Sequence, residues 1–369
     1  MNIKSANVYR IEIPMHTSYR AAVHDFSTMD AFIIELISNC GTRGIGTVDP
    51  SPGYSRQTPP EIQNSLSEIV PTMIEQTPEN PNKLLQYFNT IDGHENAKCG
   101  VEMAYLDLYC RKREINIQEF LGGAFRQSES LNGWVGIETP TNMAKKAEEY
   151  SKKGFKSVKL KLNGDSEQDI ERIRTTCRAV GDEIQIRADV NGAYDVETAI
   201  HVAQSLEDTS LEHLEQPVPL TDIEGLKQVT EATKTTIMAD ECLLSLSDVW
   251  EVLSRNAADR IKVKTLRLGG ILPTRRALDT AESAGVPCIV GHGFGLSPAM
   301  SAELQLTTSH ENVVTPIESV GALKMQEEPF KSVISVDNGS ATIPDGYGLG
   351  IQLDNSQLPK FTTASDTYQ

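Results

Sequence analysis

The run Ser157-Val158-Lys159-Leu160-Lys161-Leu162 decides the fold, read together with Gln185-Ile186-Arg187-Ala188-Asp189-Val190. Each is a short, apolar-rich run of the kind that forms a buried strand, and each carries charge toward its end. Residues 167–180 between them repeat apolar side chains at helical spacing. Working outward, the same strand–loop–helix unit recurs. Candidate strands lie at 131–137, 157–162, 185–190, 211–216, 236–240, 261–266, 287–291 and 313–318. Amphipathic stretches at 142–153, 167–180, 196–206 and 273–284 lie between them, and two of these end at Gly154 and Gly285, a helix stop signal. Eight alternating units imply parallel strands joined by crossover helices. The expected class is α/β, a (β/α)8-type (TIM) barrel.

The first ~125 residues read differently. A strand is expected at 4–14, a hairpin at 30–38 and 43–48 turning at Asn39-Cys40-Gly41, and helices at 60–75, 82–91 and 97–113. Residues 1–125 are therefore an α+β capping domain and 126–322 the barrel. The tail 323–369, with the turn-rich Asp345-Gly346-Tyr347-Gly348-Leu349-Gly350, is expected to return to the first domain.

Composition removes several functions. Thirty-four Lys+Arg against 51 Asp+Glu leave a net charge of −17 over 369 residues, which disfavours nucleic acid and anionic membrane as partners. No apolar run approaches the ~18 residues of a membrane span. The N-terminus lacks a signal peptide's apolar stretch. The six cysteines are scattered with no Cys-x-x-Cys pair, so they read as reduced core thiols of a cytoplasmic protein.

In such a barrel the active site lies at the C-terminal ends of the strands. Lys159 and Lys161 stand there on strand two, Asp189 on three, Glu215 on four, Asp240 on five, Lys264 on six, His292 on seven and Glu318 on eight. From Lys161 onward the steps are 28, 26, 25, 24, 28 and 26 residues, about one βα unit each. Three converging carboxylates, Asp189, Glu215 and Asp240, repel one another unless a cation sits among them. An all-oxygen set suits Mg²⁺ or Mn²⁺, not zinc. Lys159 and Lys161 share one strand face. Lys264 arrives from the far side. Two lysines flanking a metal-bound carboxylate suit removal and return of a proton at its α-carbon.

Val158-Lys159-Leu160-Lys161, Asp189-Val190-Asn191, Glu215-Gln216-Pro217, Asp240-Glu241 and Lys264-Thr265-Leu266-Arg267-Leu268-Gly269-Gly270 resemble the enolase superfamily, in its mandelate racemase and muconate lactonizing enzyme branch. Lys264 with Gly269-Gly270 resembles the muconate lactonizing subgroup. The Asp–His dyad of the mandelate racemase subgroup is not matched, because Lys264 stands where the Asp would be. The resemblance implies one Mg²⁺ per subunit on Asp189, Glu215 and Asp240, with Lys161 and Lys264 as the acid/base pair around an enediolate. Asn191 and Glu241 are implied as supporting groups, His292 as a hydrogen-bond donor to substrate, and Glu318 as a contact for a substrate amine or hydroxyl.

Substrate choice is assigned by the resemblance to capping-domain loops, here 16–26 with Tyr19, Arg20 and His24, and 50–55 with Tyr54. The Asp-x-Asp signature of dipeptide epimerases is absent, since the eighth segment reads Thr315-Pro316-Ile317-Glu318-Ser319. The expected protein is a Mg²⁺-dependent homo-oligomeric isomerase of a small-molecule carboxylate, foremost a racemase or epimerase of an N-substituted amino acid. Cycloisomerase and β-eliminating lyase chemistry stay open on the same scaffold. A Schiff-base aldolase or a non-catalytic binding protein would be the readings of another class.

Overall fold

The computed structural model describes residues 2–20, 25–50, 55 and 57–369. Its first unit is a four-stranded antiparallel sheet in the order Thr362–Tyr368, Ile3–Arg20, Asp25–Ser38, Arg43–Val48. The C-terminal strand thus completes the N-terminal sheet, with Ala6 opposite Tyr368. Another part of the tail, Ser340–Thr342, pairs instead with Ser128–Ser130 beside the barrel. Helices Pro59–Glu75, Pro81–Phe88 and Glu95–Arg111 follow the hairpin. The last is buried on nearly every side, because it lies between the sheet and the barrel. It meets the strand Arg43–Val48 backbone to backbone: a Cβ at Gly46 would fall 2.1 Å from the Gly100 carbonyl oxygen.

The barrel strands run in sequence order, all parallel, from Asn132–Val135 to Cys288–Val290. The eighth strand expected at 313–318 is reduced to two bridges. Val313 pairs with Cys288 and Ile317 with Leu131, which closes the barrel. Pro316 lacks an N–H, so a continuous ladder is not available there. The sixth strand ends at Val263, short of the expected 266. Lys264 instead caps a short helix, Thr265–Leu268, which turns Arg267 back toward the barrel mouth.

A buried carboxyl group joins the two units. Glu102 accepts from the backbone N–H groups of Ile271 (2.6 Å) and Leu272 (2.8 Å), at the N-terminus of the barrel helix Ile271–Ser283. Burial raises Glu102 to about 8, outweighing those two bonds at the helix start, which favour its ionised form. Asp107 instead ties the tail to the first unit, accepting from Ile45 and from Leu349 of the tail. Five cysteines are buried as free thiols, whereas Cys40 is exposed, since it sits in the hairpin turn and not in the core expected for it. No helix among the described residues is long and apolar enough to cross a membrane.

Candidate active site

Strand register stacks the inward side chains in two layers. Lys159, Arg187 and His213 are neighbours in one, and Lys161, Asp189 and Glu215 in the next, nearer the C-terminal mouth. The sixth strand adds Lys262 below Lys264. The mouth therefore carries carboxylates flanked by two lysines, above a buried layer of the cations Lys159, Arg187 and Lys262 and of His213, which burial and Arg187 hold neutral. Lys161 Nζ donates to Asp189 Oδ2 (2.6 Å) and Asn191 Oδ1 (2.9 Å). Lys264 Nζ donates to Asp240 Oδ2 (2.7 Å), whose other oxygen meets Arg267 (2.7 Å). Lys159 Nζ reaches Glu215 (2.9 Å), Glu318 (2.8 Å) and Asp189 (3.1 Å).

The expected residues come together. Lys159, Lys161, Asp189, Asn191, Asp240, Glu241, Lys264, His292 and Glu318 line one cavity of about 80 Å³, and Glu215 lies fully buried behind it. Tyr54 and His24 fall outside the described residues, as do the side chains of Tyr19 and Arg20. Asn191 has a left-handed backbone (φ 50°), which lets it serve three neighbours. Its N–H donates to Asp189, its Oδ1 accepts from Lys161, and its Nδ2 donates to Glu241 Oε1.

Two of the expected residues meet partners in the protein itself. His292 Nε2 lies 2.6 Å from the Asp49 carbonyl oxygen. A carbonyl only accepts, so the proton is on Nε2 and is donated to the capping domain. Burial, against the pull of that hydrogen bond, takes His292 down to about 3, so it is neutral at ordinary pH and has no second proton to donate. Glu318 is the other. Its Oε2 is paired to Lys159 and Lys262, while Oε1 lies 3.6 Å from Arg187 and has no hydrogen-bond partner among the described residues.

Sequence reasoning missed Lys262, Arg187, Arg267 and Lys324. Lys262 was open to the same two-residue argument that exposed Lys159, since Lys262-Val263-Lys264 repeats it. Lys324 follows the eighth segment. Its ammonium stands 3.9 Å from the Phe294 ring centre and 4.9 Å from that of Trp134, in the same cavity. Burial, then Lys161, Lys159 and Lys262, push it well below the ordinary lysine range.

The carboxylates are split by their neighbours. Burial would raise Asp189 and Asp240, but Lys161 and Lys159 hold the first below the usual range, and Lys264 and Arg267 the second. Glu215 is raised, by burial and then by Asp189, and it shares a hydrogen bond with Asp240. Two carboxyl groups in contact in a buried, all-oxygen setting fit a hard divalent cation. Glu215 also belongs to a buried group with His213 and Glu318, whose ligand atoms all lie within 4.8 Å and which by composition could hold a metal. There, however, Arg260 faces His213 Nδ1 (3.4 Å), placing the ring proton on Nε2, so the oxygen trio is the better fit.

A buried carboxyl outside this ring gives a stability prediction. Burial raises Glu303 to about 7, while Ser319 and Thr265 donate to it. Its folded value lies above its unfolded one, so its contribution is complete below ~4.5 and is lost as pH rises through about 7. Glu303→Gln should therefore reduce the loss of unfolding free energy between pH 5 and 8 by on the order of 1–3 kcal/mol, read by denaturant unfolding at each pH. A wild-type-like pH slope in the variant would show that Glu303 is ionised throughout.

Residues 4–122 match the N-terminal domain of the mandelate racemase / muconate lactonizing enzyme family, and residues 142–357 match the enolase C-terminal domain-like family. The chain belongs to this enolase-superfamily branch. Among its relatives is an N-succinyl-L-Arg/Lys racemase of Bacillus cereus, 27% identical over 369 residues, covering 99% of each chain. The solved structure of the Bacillus cereus racemase superposes with a TM-score of 0.95 at 26% identity, covering 100% of both chains. A hydrophobic dipeptide epimerase of Enterococcus faecalis is 31% identical over 95% of this chain and 99% of its own. The Enterococcus faecalis structure, a complex with Mg and the dipeptide L-Leu-L-Tyr, gives a TM-score of 0.90. A chloromuconate cycloisomerase of Cupriavidus necator is 25% identical over 99% of this chain and 100% of its own. The family members and relatives are racemases, epimerases and cycloisomerases, and this chain is an isomerase of that superfamily.

Proposed function

We propose that the chain moves the α-proton of a carboxylate between two faces, as a racemase or epimerase of an N-substituted amino acid. The observation that carries this reading is the placement of Lys161 and Lys264 on strands two and six, each turned onto a different carboxylate of the ring. One-carbon inversion needs a base on one face and an acid on the other. Lys161 takes the proton from one enantiomer and Lys264 returns one to the opposite face; in the reverse direction they exchange roles. Burial and Arg267 bring Lys264 down to about 8, against the pull of Asp240, a range in which an amine can do either.

Asp189, Glu215 and Asp240 would hold one Mg²⁺ per subunit. When bound, that cation offsets the negative charge that builds on the substrate carboxylate as the α-proton leaves. Lys159 stays charged, since Glu215, Glu318 and Asp189 outweigh the effect of burial, and it fixes those carboxylates in place. A blocked amine suits the site better than a free ammonium. Glu318 is already neutralised by three cations, and the eighth segment lacks paired aspartates.

The test is solvent exchange in D₂O with Mg²⁺, with an EDTA control, on pooled N-acyl amino acids, proline derivatives, dipeptides, hydroxy acids and muconate. Loss of the α-proton signal with recovery of the opposite stereoisomer is the expected result, strongest in the N-acyl pool and abolished by EDTA. A new alkene or lactone would move the assignment to elimination or cycloisomerisation. Absence of both exchange and Mg²⁺ binding would sink the reading of the charged ring.

A further inference from the structure

Lys324 takes no part in the proton transfer described above, yet it lies on the wall of the same cavity. Its backbone is pinned on both sides. Its N–H donates to the Gly321 carbonyl (2.8 Å), and its own carbonyl accepts from the N–H of His16 in the capping domain (2.8 Å). The side-chain nitrogen lies against two ring faces, 3.9 Å from the centre of Phe294 and 4.9 Å from that of Trp134. A Cβ at Gly293 would stand 3.4 Å from that nitrogen, so glycine there leaves room beside it. Lys324, Trp134 and Val320 also border an outer cavity of about 260 Å³, whose wall includes the exposed residues His16, Lys146 and Lys153. The amine is therefore within reach of small molecules from the surface as well as from the reacting centre.

Its surroundings favour the neutral amine. Burial acts first, and Lys161, Lys159 and Lys262 add like charge against the weaker pull of Glu318, so the group stands well below the ordinary lysine range. A lysine desolvated among apolar walls and beside other cations is activated as a nucleophile. The partner of an amine nucleophile is an electrophilic carbonyl carbon, and the cations around this one favour a carbonyl compound that carries a carboxylate. We propose that Lys324 condenses reversibly with the carbonyl group of a small 2-oxo acid, and that the adduct closes the reacting cavity to substrate. Nζ attacks the carbonyl carbon while the π pair moves to oxygen, which takes a proton from the nitrogen. A second proton passes from nitrogen to the same oxygen, the carbon–oxygen bond breaks and water departs, leaving a carbon–nitrogen double bond. One amine and one carbonyl give one imine and one water, with no oxidant or reductant. The choice of an acid rests on the reading of this cavity as a carboxylate site; the amine chemistry does not.

The test incubates the full-length, Mg²⁺-loaded protein with pyruvate, or with propanal as a neutral carbonyl of the same length. Cyanoborohydride then traps the imine, and peptide mass spectrometry locates it. At neutral pH pyruvate should label Lys324 about 10-fold more than any surface lysine, and more than propanal does. Raising the pH toward about 10 should increase labelling of surface lysines but not of Lys324. Lys324→Arg, which keeps a cation, should lose the label. Label spread evenly over the surface lysines, or a parallel rise with pH at Lys324, overturns the proposal in wild type alone, whatever the variant's folding. Label that persists at Lys161 or Lys264 in Lys324→Arg overturns it as well. Equal labelling by pyruvate and propanal overturns the choice of a 2-oxo acid. Labelled protein that still exchanges the α-proton of N-acyl amino acids at the wild-type rate overturns the closing of the cavity. If the untreated protein exchanges no α-proton on any substrate, the proton-transfer reading falls, and the label at Lys324 still decides this proposal.

Discussion

Lys161→Ala should abolish α-proton exchange from one enantiomer and Lys264→Ala from the other, each by roughly 10²–10⁴-fold, the range typical of losing a positioned acid or base. The prediction follows from where each ammonium is held. Lys161 is fixed by Asp189 and Asn191, and Lys264 by Asp240, so neither can swing across to replace the other without breaking a buried contact. Proton NMR of each pure enantiomer in D₂O separates the two half-reactions. A variant that still interconverts both enantiomers at the wild-type rate would remove its lysine from the mechanism. Equal loss of both half-reactions in both variants, with intact melting behaviour, would point to a one-base reaction in which the second lysine only positions.

Lys262→Met should have the largest effect on stability. Lys262 is 4% exposed and in contact with Glu215, Asp240 and Glu318. Removing one partner of a buried ion network leaves uncompensated charge, a loss of about 3–5 kcal/mol. The same excess of negative charge should make the variant gain more melting temperature from added Mg²⁺ than wild type does. Thermal unfolding with and without Mg²⁺ reads both effects. An equal Mg²⁺ shift in the two proteins would show that Lys262 does not compete electrostatically with the cation. A melting temperature unchanged by the substitution would mean that Lys159 and Arg187 alone neutralise Glu318.

Much of the site was legible because it is periodic. Lys161, Asp189, Glu215, Asp240, Lys264 and His292 recur at one βα repeat, and the barrel converts that spacing into convergence at one mouth. Lys262 and Arg187 follow the same alternation along a strand, but they sit one layer deeper than the strand ends that carry the repeat. Lys324 follows no strand end, and nothing in its neighbours in sequence shows that Trp134 and Phe294 enclose it. His292 stands at the expected strand end, but its bond to Asp49, 243 residues away, follows from no local pattern.

Sequence alone therefore determined the alternation of strands and helices, the charged residue at each strand end, and the resemblance that the family match bears out. These are local or periodic properties, set by side-chain spacing along the chain. Tertiary structure decided which charge faces which. It fixed the closing of the barrel through two bridges, the capture of Glu318 by three cations, and the bond of His292 to the capping domain. Each of these joins segments far apart in the chain, where burial strengthens charge pairing and makes an unsatisfied polar atom costly, and that cost exists only once the two units have closed on each other.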